Sequence, residues 1–350
     1  MHKPVLILDP DWRHMGELFS DRARADLIER FDVIWGQDGA IPPEILHDAL
    51  PRAEVLISAS PRVDAATLAR APNLRVIVEV SGAFPDTIDY AACFAAGIEV
   101  LSCAPGFRQA VAEMGLGMAI AGARGLVNEH EGFRSGHERW LADNPQTDFT
   151  LFGARIGFIG FGQIARELTR LLAPFRADVI AFDPWLPPEV AQDLGVTLGP
   201  LEEVLSSARC LFVTAVPTSE NYRLLNAERL ALMPDHALLV LISRAHLVDF
   251  DALTAELAQE RIRACIDVFP SEPVDPDADI RRLKGVILSP HRAAAVDKGR
   301  QLIGDMVVAD LRAIHAGRDA RHLARANART IAALTGVSDD RDVASMAKAR

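Results

Sequence analysis

Residues 157–165 read Gly157-Phe158-Ile159-Gly160-Phe161-Gly162-Gln163-Ile164-Ala165, a stretch of small residues spaced as Gly160-x-Gly162-x-x-Ala165. An apolar run, Ile156–Ile159, leads into it. A stretch with Ile164, Leu168, Leu171 and Phe175 on one helical face follows. A second apolar run, Val179–Phe182, then ends on Asp183, about 20 residues past Gly162. Gly160 permits the tight strand-to-helix turn, Gly162 lets a diphosphate approach the backbone, and Ala165 is small enough for helix and strand to pack. The amides of Gln163 and Ile164 open the helix and face the phosphate charge. Asp183 is suited to accept hydrogen bonds from the adenosine ribose hydroxyls and to repel a 2′-phosphate. Pro184-Trp185-Leu186 follow it with no adjacent arginine, so the pattern favours NAD over NADP.

Outward from this motif, strand-like runs recur: Arg155–Ile159, Asp178–Phe182, Cys210–Ala215, Ala237–Ile242, Ile262–Ile266 and Val286–Leu288. Helical patterns lie between most of them. The first hundred residues repeat the alternation, with strand-like Val5–Leu8, Asp32–Trp35, Val55–Ser58, Arg75–Val80 and Ile98–Leu101. Helix-like Glu17–Arg30, Pro43–Ala49, Asp64–Ala71 and Thr87–Ala96 separate these. Short apolar strands joined by single helices imply parallel sheets covered on both faces. Val111–Asn128 reads as one long apolar helix bridging two domains. Asp297–Ala316 reads as another, inward through Leu302, Ile303, Met306, Val307, Asp310, Leu311 and Ile314, and returns the chain to the first domain. The predicted fold class is α/β, with two Rossmann-like, doubly wound parallel-sheet domains. A cofactor domain over 104–294 is inserted in a discontinuous, flavodoxin-like substrate domain over 1–103 and 295–337, with a polar tail at 338–350.

A chain of 350 residues suits two domains, and 49% hydrophobic with 24% charged residues is an ordinary globular composition. A formal charge of −11 argues against nucleic-acid or anionic-membrane partners. The run Val111–Val127 is broken by Glu113, Arg124 and glycines, so it is no membrane span. Cys93, Cys103, Cys210 and Cys265 form no C-x-x-C pair and read as reduced core thiols of a cytoplasmic protein. No residues have metal-ligand spacing.

Three segments end consecutive strands of the second series: Ile242-Ser243-Arg244, Asp267-Val-Phe-Pro-Ser-Glu272-Pro273 and Ser289-Pro290-His291. Ligands bind at such carboxyl ends. An arginine, a carboxylate and an imidazole thus reach one rim. A charged fork suits a carboxylate, and an acid titrating near neutrality suits reversible proton transfer. Taken singly, Arg244 reads as a surface ion-pair arginine and Glu272 as a loop carboxylate. His246 reads as a loop residue. The remaining histidines have no partner pattern.

On these residues the chain resembles the D-isomer-specific 2-hydroxyacid dehydrogenase family, over roughly residues 50–317. Ser243-Arg244-Ala245 followed by Leu247-Val248-Asp249 resembles its Ser-Arg-Gly turn. The Asp267–Pro273 segment resembles Asp-Val-Phe-x-x-Glu-Pro, and Ser289-Pro290-His291 its Ser/Thr-Pro-His. Leu151-x-Gly153, Pro105-Gly106 and Val111-Ala112-Glu113 also match. The resemblance implies that Arg244 holds the substrate carboxylate and that His291 gives and takes the proton. Glu272 is implied to orient His291 and favour its protonated form. Gly160, Gly162, Gln163, Ile164, Asp183, Val216, Pro217, Ile242, Ser243 and Asp267 are expected to hold NAD. Ser81, Gly82, Ala83, Phe84, Arg108 and Arg244 are expected around a 2-oxo or 2-hydroxy acid, in a cleft, in a homodimer to which Val111–Leu141 contributes.

Departures from the family pattern fall on the substrate side. Ser81-Gly82-Ala83-Phe84-Pro85 stands where a Gly-Val-Gly-Val loop brings amides to the substrate carboxylate, and Phe84 replaces its second glycine. Residues 105–110 run one residue short, leaving Arg108 either as positive charge at the cleft mouth or as a solvent-facing residue. Ala245 and Arg292-Ala-Ala-Ala replace the usual glycines. The expected activity is NAD-dependent reduction of a 2-oxo acid. An NAD-sensing corepressor-like protein on the same fold is the alternative from another class. Formate or phosphite dehydrogenase is disfavoured by Glu272, where formate dehydrogenases carry glutamine.

Overall fold

The computed structural model describes residues 3–144 and 147–334; the polar tail at 338–350 lies outside them. The chain divides into two units, Met1–Arg108 with Val296–Arg350, and Gln109–Ala295. In the first, β1 (Val5–Asp9), β2 (Asp32–Trp35), β3 (Ala53–Ser58), β4 (Val76–Glu79) and β5 (Glu99–Ser102) alternate with helices. In the second, β6 (Arg155–Ile159), β7 (Asp178–Phe182), β8 (Thr197–Leu198), β9 (Cys210–Val213), β10 (Leu238–Leu241), β11 (Arg263–Ile266) and β12 (Val286–Leu288) do the same. A last strand, β13 (Ala324–Arg325), returns to the first unit.

The first sheet has the order β13-β5-β4-β3-β1-β2, parallel except for β13 against β5. The second is parallel throughout, β12-β11-β10-β9-β6-β7-β8. In the second sheet the order reverses direction between β6 and β9, which places a ligand crevice beyond their carboxyl ends. Strands buried on both faces need continuous apolar runs, and β9, β10 and β11 are buried at every residue. In the second unit, one face of the sheet carries a core around Leu211, Leu239, Leu241 and Ile266, and the other face buries Phe158, Phe212, Leu238 and Val240. Two cores, one on each face of the sheet, fill the first, around Ile57 and Val78 and around Ile7 and Ile77.

Three helices differ from their sequence reading, each for a local reason. The Glu17–Arg30 run is two helices, Met15–Leu18 and Asp21–Arg30. Ser20 is extended between them, and its hydroxyl accepts the Ala23 N–H at 3.2 Å, so capping wins over continuation. The Val111–Asn128 run is Arg108–Ala123 and Leu126–Arg134, bent by 60°. Gly125 breaks it with φ +60°, a conformation open to glycine. Gly115 and Gly122 let the first of these helices lie close to Ile242, Leu238 and Cys265, where a Cβ would fall within 3 Å. No single helix among the described residues is long and apolar enough to cross a membrane. The Asp297–Ala316 run becomes helical only over Leu302–His315. On its inward face Asp310 is fully buried and accepts the N–H groups of His322 and Leu323 at 2.8 Å. That carboxylate, entered in the sequence pattern among apolar residues, thus ties down the segment leading to β13. Strands β8 and β13, two residues each, are too short to show a period. All four cysteines are free and buried.

Candidate active site

The glycine turn closes β6. Gly160 has φ +81°, and a Cβ on it would meet the Ala215 Cα at 2.4 Å, so only glycine fits where the turn crosses the end of β9. The Thr214 hydroxyl donates to the Gly160 carbonyl at 2.6 Å and fixes the turn from the other side. Gly162 precedes the helix Gln163–Leu172. Nothing lies within 4 Å of where its Cβ would stand, leaving an open cradle before first-turn amides that have no intrahelical partner. Asp183, just past β7, accepts the Phe161 N–H at 2.7 Å and the Trp185 N–H at 2.9 Å. Its carboxylate therefore braces the glycine turn, and its remaining lone pairs can take ribose hydroxyls.

Ser243 is buried, and its hydroxyl oxygen has no hydrogen-bond partner among the described residues. An orphaned buried hydroxyl costs stability unless a ligand satisfies it. The open cradle, the aspartate at the next strand end and this hydroxyl all fit a dinucleotide. Val216 is exposed and Pro217 half-buried on the loop after β9. Ile242 is buried, packed where a Gly115 Cβ would be.

Beyond β12, the His291 Nδ1 lies 2.7 Å from Glu272 Oε2. Glu272 Oε1 accepts the Phe269 N–H at 2.9 Å. Burial pushes the Glu272 carboxyl up. The His291 hydrogen bond and charge, the Phe269 amide and the Arg244 charge outweigh this and hold it below the ordinary carboxylate range. Glu272 is thus ionised at neutral pH and acceptor-only. The ring proton it binds sits on Nδ1, and Nε2 is left for other chemistry. The Glu272–Pro273 peptide is cis.

His291 has φ +52°, an uncommon value held by its surroundings. Its N–H donates to the Asp267 carbonyl at 2.8 Å, and the fully buried Asp267 carboxylate accepts the N–H groups of Arg292 at 2.9 Å and Ala293 at 3.0 Å. Asp267, expected beside the cofactor, has both carboxylate oxygens engaged in shaping the histidine loop. Arg244 opens the turn after β10 and donates from Nη1 to the Ser243 carbonyl at 2.7 Å. His246 sits in the following turn, its Nε2 2.9 Å from the Thr218 carbonyl. Among the described residues, no group of three or more His, Cys, Asp or Glu could hold a metal ion.

In the first unit, Ser81, Gly82, Ala83 and Phe84 follow β4. The Phe84 ring turns inward and packs edge-on to Tyr90, with centroids 6.3 Å apart, against the core around Ile77. Arg108 donates from Nη1 to the Pro105 carbonyl at 3.0 Å and lies 3.6 Å from the Met306 sulfur. Two residues here went unread in the sequence. Glu79, fully buried at the end of β4, accepts the amides of Ser81–Ala83, and Arg13 donates to the carbonyls of Val80 and Ser81. The legible signal was a lone glutamate at the end of an apolar strand.

The topology, glycine turn and rim residues define a two-unit α/β protein whose second unit is built to hold a dinucleotide. The comparisons refine this class. Residues 116–293 match the family model described as "D-isomer specific 2-hydroxyacid dehydrogenase, NAD binding domain". A glyoxylate reductase of Pyrococcus horikoshii is 30% identical over 298 residues, 83% of this chain and 89% of that protein. A D-3-phosphoglycerate dehydrogenase of Mycobacterium bovis is 29% identical over 84% of this chain and 54% of its own length. Among solved structures, a phosphoglycerate oxidoreductase from Rhizobium etli superposes with TM-score 0.82 at 38% identity, covering 93% of this chain and 99% of the other. The chain belongs to the D-isomer-specific 2-hydroxyacid dehydrogenases, a family of NAD-binding oxidoreductases.

Proposed function

We propose that this protein reduces a 2-oxo acid to the D-2-hydroxy acid with NADH, and runs the reverse oxidation. The observation that carries the reading is the 2.7 Å His291–Glu272 pair at the carboxyl rim of the dinucleotide-holding sheet. NADH, when bound, supplies the hydride that goes to C2 of the substrate. His291 gives the Nε2 proton to the carbonyl oxygen as that bond becomes a hydroxyl. Glu272 holds the ring by Nδ1. Asp267 and the amides it binds keep the histidine loop in its strained conformation. Arg244 anchors the substrate carboxylate through its fixed charge. Ser81–Phe84 and Arg108 belong to the substrate-side unit, 1–108 with the return after 295.

The test is NADH oxidation with glyoxylate, hydroxypyruvate and phenylpyruvate. Turnover of at least one is expected, with NADPH poorer by about tenfold or more because a 2′-phosphate would meet the Asp183 carboxylate. NADH binding without turnover of any acid would favour a dinucleotide-sensing protein instead, and a preference for NADPH would refute the role of Asp183.

We also read the protein as a homodimer. Leu126, Phe133, Trp140 and Leu141 are exposed at 59%, 60%, 76% and 103% on or just after the second of the bent helices. The Phe133 and Trp140 rings stand 6.1 Å apart, and exposed apolar groups of this kind mark protein contacts. Sedimentation should give twice the 38.0 kDa chain mass, and a monomer at micromolar concentration would rule this out. Four buried free thiols are in keeping with a cytoplasmic setting.

A further inference from the structure

On the first sheet, the edge opposite the Ser81–Phe84 loop is basic. An open pocket of about 330 Å³ lies at the amino ends of β4 and β5, where the chain also returns after the Leu302–His315 helix. Arg75 precedes β4, Glu99 opens β5, and Arg318, Asp319, Arg321 and Arg325 come from the return segment. All six belong to one unit. Four guanidinium groups against two carboxylates leave a surplus of two positive charges at one place, in a chain whose formal charge is −11.

Half of the basic cluster has a structural task. Glu99 takes Arg321 as a fork, with Oε1 2.7 Å from Nε and Oε2 2.8 Å from Nη2, and Oε1 also accepts Arg325 Nε at 2.7 Å. Arg325 Nη2 donates to Asp319 at 2.7 Å. These bonds pin the short β13 beside β5 and hold two arginines in place, leaving Arg325 Nη1 with no acceptor among the described residues. Arg75 and Arg318 share none of this work. Both are exposed, and among the described residues neither guanidinium has a hydrogen bond or ion pair. They bring positive charge to the pocket wall that the fold does not use.

The Leu302–His315 helix ends at this pocket, and free carbonyls at a helix end would oppose an anion. They are capped instead. The amides of Ala316, Gly317 and Arg318 take the carbonyls of Arg312, Ile314 and Ala313 at 2.9–3.1 Å. Val76 and Ile314 supply the apolar lining, and no aromatic ring lines the pocket among the described residues. Its volume falls at the lower end of the range for small-molecule sites.

We propose that this pocket binds a phosphate dianion, free or as the monoester of a small polyol, using none of the residues assigned to the reaction. A phosphate group carries about 1.5–2 negative charges near neutrality, which matches the surplus, and its oxygens suit guanidinium forks. Arg75 and Arg318 supply unengaged forks, and Arg325 Nη1 donates from the fixed side. The absence of a ring favours a hydroxylated body over a nucleobase. The site stands whether or not the chain reduces a 2-oxo acid.

The test is calorimetric titration of the full chain with glucose 6-phosphate, inorganic phosphate and glucose, with NADH present to occupy the glycine cradle. One glucose 6-phosphate per chain is expected, and no binding of glucose. Inorganic phosphate weaker than the ester by about tenfold or more would mark a monoester site, and equal affinities would mark a site for the free ion; either result supports the pocket. Arg75→Gln and Arg318→Gln should each weaken binding by about tenfold. Neither side chain has a partner to lose, so Tm should stay within about 2 °C in both. No binding of either phosphate compound to the wild type at millimolar concentration, or unchanged binding in both variants, overturns the proposal.

Discussion

Replacing His291 by asparagine should lower kcat by about 10²–10⁴-fold, the usual worth of a positioned acid–base group, while the NADH dissociation constant changes by less than about threefold. Asparagine is the informative choice because residue 291 has φ +52°, a value that asparagine tolerates better than alanine. The loop amides of Arg292 and Ala293 stay on Asp267 in the variant, so the effect isolates the imidazole. Glu272→Gln should give a smaller loss, since a neutral amide can still accept the Nδ1 proton but removes the carboxylate charge beside the ring. Stopped-flow reduction and fluorescence titration of NADH separate the two quantities. A variant with unchanged kcat would remove His291 from the chemistry.

The second large effect is expected at the glycine turn, where the two glycines should behave oppositely. Gly160→Ala places a Cβ 2.4 Å from the Ala215 Cα at φ +81°. The conformational cost is about 1–2 kcal/mol, and forced displacement of backbone adds about 1–3 kcal/mol. Together these should lower Tm by about 10 °C. Gly162→Ala meets nothing within 4 Å and should leave Tm within about 2 °C. Its methyl group would instead stand where the diphosphate approaches, and NADH should bind about tenfold more weakly. Calorimetry and cofactor titration on the pair check this. Equal Tm losses in both would contradict the assigned geometry.

Much of this architecture was legible because parallel strands buried on both faces must be continuously apolar. Each strand of four residues or more falls in such a run, as does the three-residue β12, although β2 and β12 lie at sheet edges and have no buried residue. The glycine turn and the Arg244, Glu272 and His291 segments were legible because their spacing relative to strand ends carries the chemistry. What escaped were features decided by long-range contacts. Glu79 meets its donors only when the loop folds back over β4 and when β5 brings Ser102 alongside. Arg13 reaches the same loop from a segment 67 residues earlier in the chain. Phe84 looked like an obstacle in the substrate loop, yet its ring lies against Tyr90 in the core. Asp310 was counted within an apolar stripe because its partners, the amides of His322 and Leu323, lie beyond the helix it sits on. Helix ends were set by Ser20 and Gly125, local residues whose capping and left-handed conformations a periodic pattern does not register.

The central claim is that the His291–Glu272 pair serves hydride transfer to C2 of a 2-oxo acid. Its most direct measurement is reduction of phenylpyruvate with NADH deuterated at both C4 positions, followed by mass analysis and chiral separation of the product. Phenyllactate of the D configuration carrying one deuterium at C2 is the predicted result. An L product, a product without label, or bound NADH that is never oxidised would contradict it.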